Sequence, residues 1–118
     1  MSWVHDLPAG FCGWRTWEAT AHARIEAFCC RGWEDGPFAL VTAGVHGDEY
    51  EGPSAVFLLA KALKPDRVRG TVVAVPVVNP AAFTSGTRLH PEDGCNLARN
   101  FPGDANGGPC ALKLYAAR

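Results

Sequence analysis

The sequence predicts a mixed α/β fold with a mainly parallel sheet and covering helices. Two apolar segments, Phe38–Val45 and Thr71–Val78, have the length and composition of buried strands. Between them an apolar run follows Gly52-Pro53-Ser54, where proline in the first turn favours the start of a helix. Strand, helix and strand within about forty residues are typical of a right-handed βαβ unit with parallel strands.

The composition is that of one small soluble domain. The 118 residues are 47% hydrophobic and 19% charged, which argues against disorder. The net charge of -1 gives no electrostatic reason to bind nucleic acid or an anionic membrane, and no apolar run could span a bilayer. The first residues lack a basic segment followed by an apolar one, so we expect a cytoplasmic protein whose five cysteines are reduced thiols.

The flanking segments carry weaker signals. Residues 1–20 contain three tryptophans among turn residues, which indicates an irregular lead-in packed by aromatic side chains. Alternation of apolar and polar residues from Ala21 to Ala27 favours a half-buried strand, although the alanines and Glu26 would also tolerate a helix. The turn Glu34-Asp35-Gly36-Pro37 predicts a hairpin that joins this strand to the next. After Asn79 the sequence predicts loop, with a short helix only within 111–117.

The first candidate site lies where the strand Phe38–Val45 ends. His46 and Glu49 stand three residues apart there, and Asn79 follows the second predicted strand. In parallel sheets ligands bind beyond the carboxyl ends of the strands. An imidazole and a carboxylate together suit zinc. The pattern by itself also fits a polar strand-to-helix loop whose acids favour the helix N-terminus.

Two arginines in the loop after Asn79 could extend this site. Arg88 and Arg99 lie among turn residues, where a guanidinium could bind a substrate carboxylate or polarise a carbonyl oxygen. Either arginine taken singly could equally be a surface residue that anchors a loop.

Four motifs in this order resemble the succinylglutamate desuccinylase/aspartoacylase family of carboxypeptidase-A-like zinc hydrolases. They are Ala43-Gly-Val-His46-Gly-Asp-Glu49, Val75-Pro-Val-Val-Asn79-Pro80, Thr87-Arg88 and Asn96-Leu-Ala-Arg99-Asn-Phe-Pro-Gly103. The resemblance covers residues 36–106 and implies a zinc-carboxypeptidase-like fold. Residues 21–106 would then be the N-terminal part of a zinc hydrolase catalytic domain.

The resemblance also implies roles for single residues. His46 and Glu49 match the first two zinc ligands, and Arg88 matches the catalytic arginine that polarises the scissile carbonyl. Arg99 matches the arginine that binds the substrate carboxylate, and Asn96 lies in the same substrate-binding motif. The implied substrate is a small carboxylate-bearing molecule such as an acylated amino acid, cut at an amide or an ester by a water that Zn²⁺ activates.

The sequence departs from the family pattern at several points. Ala98 stands where the family commonly has Asn, and Asn96 stands where it has an acid. His90 is the only histidine after Glu49, so the third zinc ligand and the general base have no candidate. With an atypical tail at 107–118, we expect a truncated, poorly active chain that self-associates through an exposed sheet edge. The alternative is a non-catalytic metal- or carboxylate-binding remnant, or a half that requires a partner chain.

Overall fold

The computed structural model describes residues 4–20 and 23–109. In these residues four strands form one sheet in the order β1-β2-β4-β3. The strands are β1 (Cys12–Thr20), β2 (Ala23–Arg31), β3 (Phe38–Thr42) and β4 (Thr71–Val75). The helices are α1 (Glu51–Ala62) and α2 (Pro80–Ser85), with short 3-10 helices at Pro65–Arg67 and Leu97–Arg99.

The sheet is mixed, as the sequence predicts, but parallel pairing is the minority in the described residues. β1 and β4 both pair antiparallel with β2, and β3 pairs parallel with β4. The predicted βαβ unit is therefore confirmed as β3, α1 and β4, with Leu40 opposite Val73. β4 ends directly before Pro76, which has no amide hydrogen to give to a ladder.

The prediction of an irregular lead-in over residues 1–20 is wrong from Cys12 onward. β1 is a nine-residue strand in which Trp14 lies opposite Phe28, with the two rings in edge-to-face contact at 5.4 Å. Trp17 packs on the opposite face of the sheet, against the core. Because aromatic side chains occupy both faces of β1, the alternation of apolar and polar residues that marks a half-buried strand is missing.

The predicted hairpin between β2 and β3 is also wrong, because β4 lies between these two strands. Val73 and Ala74 of β4 are completely buried, which requires a neighbour on each side. The turn itself is present but packs against the start of β4. Gly70 donates its backbone hydrogen to the carbonyl oxygen of Glu34, and Thr71 donates to that of Pro37.

β3 was expected to be buried on both faces, and the structure contradicts this. All five of its residues are exposed, among them Phe38 at 49% and Leu40 at 46%. α1 is covered only in part, since Phe57 and Leu58 are exposed. The reason is that β3 ends the sheet among the described strands, so its outer edge and both faces stay open. The expectation of an uncovered sheet edge is thus confirmed for this part of the chain.

Two small cores lie on opposite faces of the sheet. Cys29 packs with Val73 and Val75 in one, and Cys30 packs with Phe28 and Ala60 in the other. This alternation follows from the two-residue period of a strand. The described cysteines, Cys12, Cys29, Cys30 and Cys95, are free thiols.

The segment after Asn79 contains an element that the sequence did not predict. α2 is a helix of six residues, Pro80–Ser85, and is capped by Gly86, whose φ of 63° is left-handed. A single buried residue, Ala82, is too little for a periodic signal.

The atypical tail is described only for 107–109, so the helix predicted within 111–117 lies outside the described residues. None of the described helices is long and apolar enough to cross a membrane.

Candidate active site

The carboxyl ends of β3 and β4 bring the His46 loop and Asn79 together, as the sequence predicts. Asn79 donates its backbone hydrogen to the oxygen of Gly44 at 3.1 Å. Its completely buried side chain donates from Nδ2 to the oxygen of Val45 at 3.2 Å. These bonds hold the backbone that leads into His46 against the end of the neighbouring strand.

Gly47 allows a second close approach at the same edge. A Cβ at this position would lie 1.9 Å from the carbonyl oxygen of Ala82 in α2, closer than atoms can pack. The Gly47 amide donates to the oxygen of Thr87 at 2.8 Å. Since Thr87 precedes Arg88, this contact brings the arginine loop to the side of the His46 loop.

His46 and Glu49 point toward the same place. The Nδ1 atom of His46 lies 3.3 Å from the Oε1 atom of Glu49. The histidine side chain is only 12% exposed, whereas the glutamate side chain is 57% exposed. The site is therefore open to solvent on its carboxylate side.

Asn96 contacts the other nitrogen of the His46 ring. Its Oδ1 atom lies 3.0 Å from Nε2 of His46 and also accepts the backbone hydrogen of Ala98 at 3.1 Å. A backbone N–H can only donate, so the atom that faces both groups is the amide oxygen. Nε2 of His46 must then carry a hydrogen.

This hydrogen bond decides what Nδ1 of His46 can do. In the neutral ring the second nitrogen has a lone pair, and here the lone pair faces a carboxylate oxygen of Glu49. Two acceptors at 3.3 Å repel each other unless a positive charge lies between them. A metal cation held by both atoms would supply that charge.

Arg88 reaches the same carboxylate. Its Nη1 atom lies 3.1 Å from Oε1 of Glu49, and both side chains are about half exposed. The structure thus brings together His46, Glu49, Arg88 and Asn96. Arg99 is the last residue of the 3-10 helix that follows Asn96, and it is exposed. None of the described residues forms a hydrogen bond or an ion pair with its guanidinium.

His90 lies in the arginine loop, away from these contacts. It is 3% exposed, and its Nδ1 accepts the backbone hydrogen of Glu92 at 3.3 Å. Its backbone bonds to Cys95 and Gly94 close the loop between Arg88 and Asn96. Sequence reasoning did not find this structural role, since a single histidine in a loop carries no pattern.

The described residues do not complete a metal site by themselves. No group of three or more His, Cys, Asp and Glu side chains in residues 4–20 and 23–109 could hold an ion. His46 and Glu49 are therefore a pair of possible ligands whose third member is absent from this part of the chain.

Comparison with known proteins gives a consistent picture. Residues 35–118 match the succinylglutamate desuccinylase/aspartoacylase catalytic domain. The N-α-acetyl-L-2,4-diaminobutyric acid deacetylase of Halomonas elongata is 51% identical over 73 residues, which is 62% of this chain and 21% of that protein.

Two solved structures resemble the fold over most of this chain. One is a succinylglutamate desuccinylase/aspartoacylase from Rhodobacter sphaeroides, with 36% identity and a TM-score of 0.76. The other is the product-bound ectoine utilization protein EutE (DoeB) from Ruegeria pomeroyi, with 33% identity and a TM-score of 0.76. Each alignment covers 92% of this chain but only 35% of the relative. By the match over residues 35–118, this chain belongs to the succinylglutamate desuccinylase/aspartoacylase family.

Proposed function

We propose that this chain carries the first half of the active site of a zinc-dependent hydrolase. Its substrate would be an acylated amino acid or a similar small carboxylate, cut at an amide or an ester. The observation that carries the proposal is the pair of facing acceptors, Nδ1 of His46 and Oε1 of Glu49. The relative from Halomonas elongata, by its name, removes an acetyl group from an amino acid.

The pair fits zinc in chemistry and in separation. Imidazole nitrogen and carboxylate oxygen are both common zinc ligands. Two ligand atoms that each lie about 2.1 Å from a tetrahedral zinc ion are about 3.4 Å apart. Nδ1 of His46 and Oε1 of Glu49 are 3.3 Å apart. A cation here would also relieve the repulsion between the two acceptors.

When bound, zinc would polarise the substrate carbonyl and lower the pKa of a water to about 7. The protein's own part is to position the groups. Asn96 holds the His46 ring so that Nδ1 is the free nitrogen. Arg88 lies half exposed beside Glu49 and would donate a hydrogen bond to the carbonyl oxygen as negative charge develops there.

Arg99 is the group best suited to bind the substrate carboxylate. A guanidinium can bind a carboxylate through two parallel hydrogen bonds, and this one has no partner among the described residues. Asn96 keeps a smaller role in substrate binding. Its oxygen already accepts from His46 and Ala98, so only its amide nitrogen remains for a ligand.

A chimera tests this function. The matching 73 residues of the Halomonas deacetylase would be replaced by those of this chain, and acetate release from N-α-acetyl-2,4-diaminobutyrate would be measured. We expect activity that Glu49→Gln abolishes and that Asp48→Asn, a neighbouring exposed carboxylate, preserves. A folded chimera that binds zinc but releases no acetate would contradict the proposal.

The second candidate function is non-catalytic: a metal- or carboxylate-binding remnant, or a half that requires a partner chain. The pair of ligands without a third in the described residues favours it, as does the open edge of β3. The isolated chain would then bind zinc without turnover. Acetate release by the isolated chain, at a rate close to that of the chimera and lost in His46→Ala, would exclude this candidate.

A further inference from the structure

Cys12 and Cys30 lie side by side at the end of the hairpin formed by β1 and β2. They are direct cross-strand partners in the antiparallel register. Cys30 is completely buried, and Cys12 is partly buried and packs against the cluster that contains Cys30. Neither residue belongs to the candidate active site.

The backbone hydrogen bonds show which kind of pair this is. Arg31 donates to the carbonyl oxygen of Phe11 at 2.8 Å, and its own oxygen accepts from Gly10 at 3.1 Å, so the backbone polar groups of Arg31 face the strand that contains Cys12. The next pair along the ladder, Cys12 and Cys30, is then a non-hydrogen-bonded pair. In such pairs the Cα atoms are about 4.5 Å apart and the side chains are closest.

The other side of β2 agrees with this assignment. Gly32, which directly follows β2, donates to the oxygen of Gly70 at 2.9 Å. Counting back from Gly32, every second residue therefore turns its backbone polar groups toward β4. Cys30 is one of these residues. A Cα separation of about 4.5 Å lies within the range of about 4.4–6.8 Å that disulfides require.

We propose that Cys12 and Cys30 are a modification site at which a small-molecule disulfide, such as oxidised glutathione, forms a reversible cross-strand disulfide. The cross-strand register and the shared apolar cluster place the two side chains next to each other. Burial, followed by the neighbouring Cys12, raises the pKa of the Cys30 thiol to about 12. Cys12 also donates to the oxygen of Leu63 at 3.5 Å, a weak bond that it would give up.

The reaction proceeds by two thiol exchanges. The partly exposed Cys12 thiolate attacks one sulfur of the small disulfide, which breaks its S–S bond and releases the first small thiol. Cys30 then attacks the Cys12 sulfur of the mixed disulfide as it loses its proton, and the second small thiol is released; because its pKa is raised, this is the slow step. Two protein thiols are oxidised, one small disulfide is reduced to two thiols, and the protons pass to the leaving thiolates.

The neighbouring cysteine cannot take this role. Cys29 lies on the other face of the sheet, and its cross-strand partners are Gly13 and Val73. It is therefore a matched control of the same type, one residue away and equally buried.

Oxidation of the purified chain followed by peptide mapping tests the site. The reduced protein is incubated with oxidised glutathione under native conditions and in urea, free thiols are alkylated, and trypsin is added. We expect a native-state link between peptides 1–15 and 25–31 that a reductant reverses. In urea, links among all cysteines should appear instead.

Variants separate the two cysteines that share peptide 25–31. The link should persist in Cys29→Ser and disappear in Cys30→Ser, and fragmentation of the wild-type peptide should place it on Cys30 without any substitution. The proposal is overturned if native protein yields only a Cys12–glutathione adduct. A link to Cys29 or Cys95, or no oxidation at all, would overturn it equally.

Discussion

Nε2 of His46 lies 3.0 Å from Oδ1 of Asn96, a residue fifty positions later in the chain. The same oxygen accepts from the backbone of Ala98, and the backbone oxygen of Asn96 accepts from Nδ2 of Asn100 at 2.7 Å. These two bonds fix Asn96 within its own turn, independently of its contact with His46. Because Asn96 contacts Nε2, Nδ1 is the nitrogen of His46 that faces Glu49.

Replacing Asn96 should weaken metal binding. Asn96→Leu removes the acceptor that orients the ring, and loss of such outer partners costs about 10–100-fold in metal affinity. Asn96→Asp restores an acceptor and should bind zinc at least as well as the wild type. Zinc competition against a chromophoric chelator measures both variants, and ¹⁵N NMR of the neutral His46 ring reports which nitrogen carries the hydrogen. Equal affinity in the Leu variant would refute this role.

Gly47→Ala should disrupt the site through the backbone. The new Cβ would lie 1.9 Å from the oxygen of Ala82, so the His46 loop and α2 must separate. We expect the free energy of unfolding to fall by more than about 3 kcal/mol. At Gly13 a Cβ would meet only the Phe11 ring at 3.4 Å, so Gly13→Ala should cost less than about 1 kcal/mol. Urea denaturation compares the two, and similar losses would count against the close approach.

The buried thiols should make stability depend on pH above about 9. Burial raises the pKa of Cys29 to about 11 and that of Cys30 to about 12, from a usual value of 9.0. In this window the unfolded chain releases these protons while the folded chain keeps them. The free energy of unfolding therefore falls as pH rises, by up to about 1.4 kcal/mol per pH unit for each thiol, and is unaffected below pH 9.

Urea denaturation between pH 8 and 11 measures this slope. The double variant Cys29→Ala, Cys30→Ala is the reference, because the lysines and tyrosines titrate alike in both proteins. Parallel curves for wild type and variant would show that the thiols do not contribute.

The open edge of β3 should cause self-association. Its five residues are exposed and apolar apart from Thr42, and an unpaired apolar strand is a template for pairing with another chain. Leu40→Lys places a charge on this strand and should shift the chain toward monomer in analytical ultracentrifugation. Leu89→Lys, at an exposed leucine in the arginine loop, should not. A wild-type chain that stays monomeric at every concentration would argue against the edge as an interface.

Local sequence patterns predicted the features that depend on residues close together in the chain, namely the βαβ unit and the pair His46 and Glu49. The βαβ unit follows from apolar runs and Pro53, and the approach of His46 to Glu49 follows from their spacing and the strand end. Arg88 was assigned to the candidate site because Thr87-Arg88 resembles a family motif. In the structure its guanidinium contacts the carboxylate of Glu49.

The remaining features depend on contacts between distant segments. β4 separates β2 from β3 although a turn joins them, and the apolar β3 is exposed because no described strand covers it. The orientation of His46 by Asn96 depends on one atom of a side chain fifty residues away. No local pattern records such contacts.

His46 and Glu49 should bind one zinc ion together, and a zinc titration of the 118-residue chain measures this. Wild type, Glu49→Gln and Asp48→Asn would be compared, since both variants remove one negative charge from adjacent positions. We predict one zinc per chain for the wild type and Asp48→Asn, and at least about tenfold weaker binding for Glu49→Gln. Equal affinity in all three proteins would mean that the Glu49 carboxylate does not bind the metal.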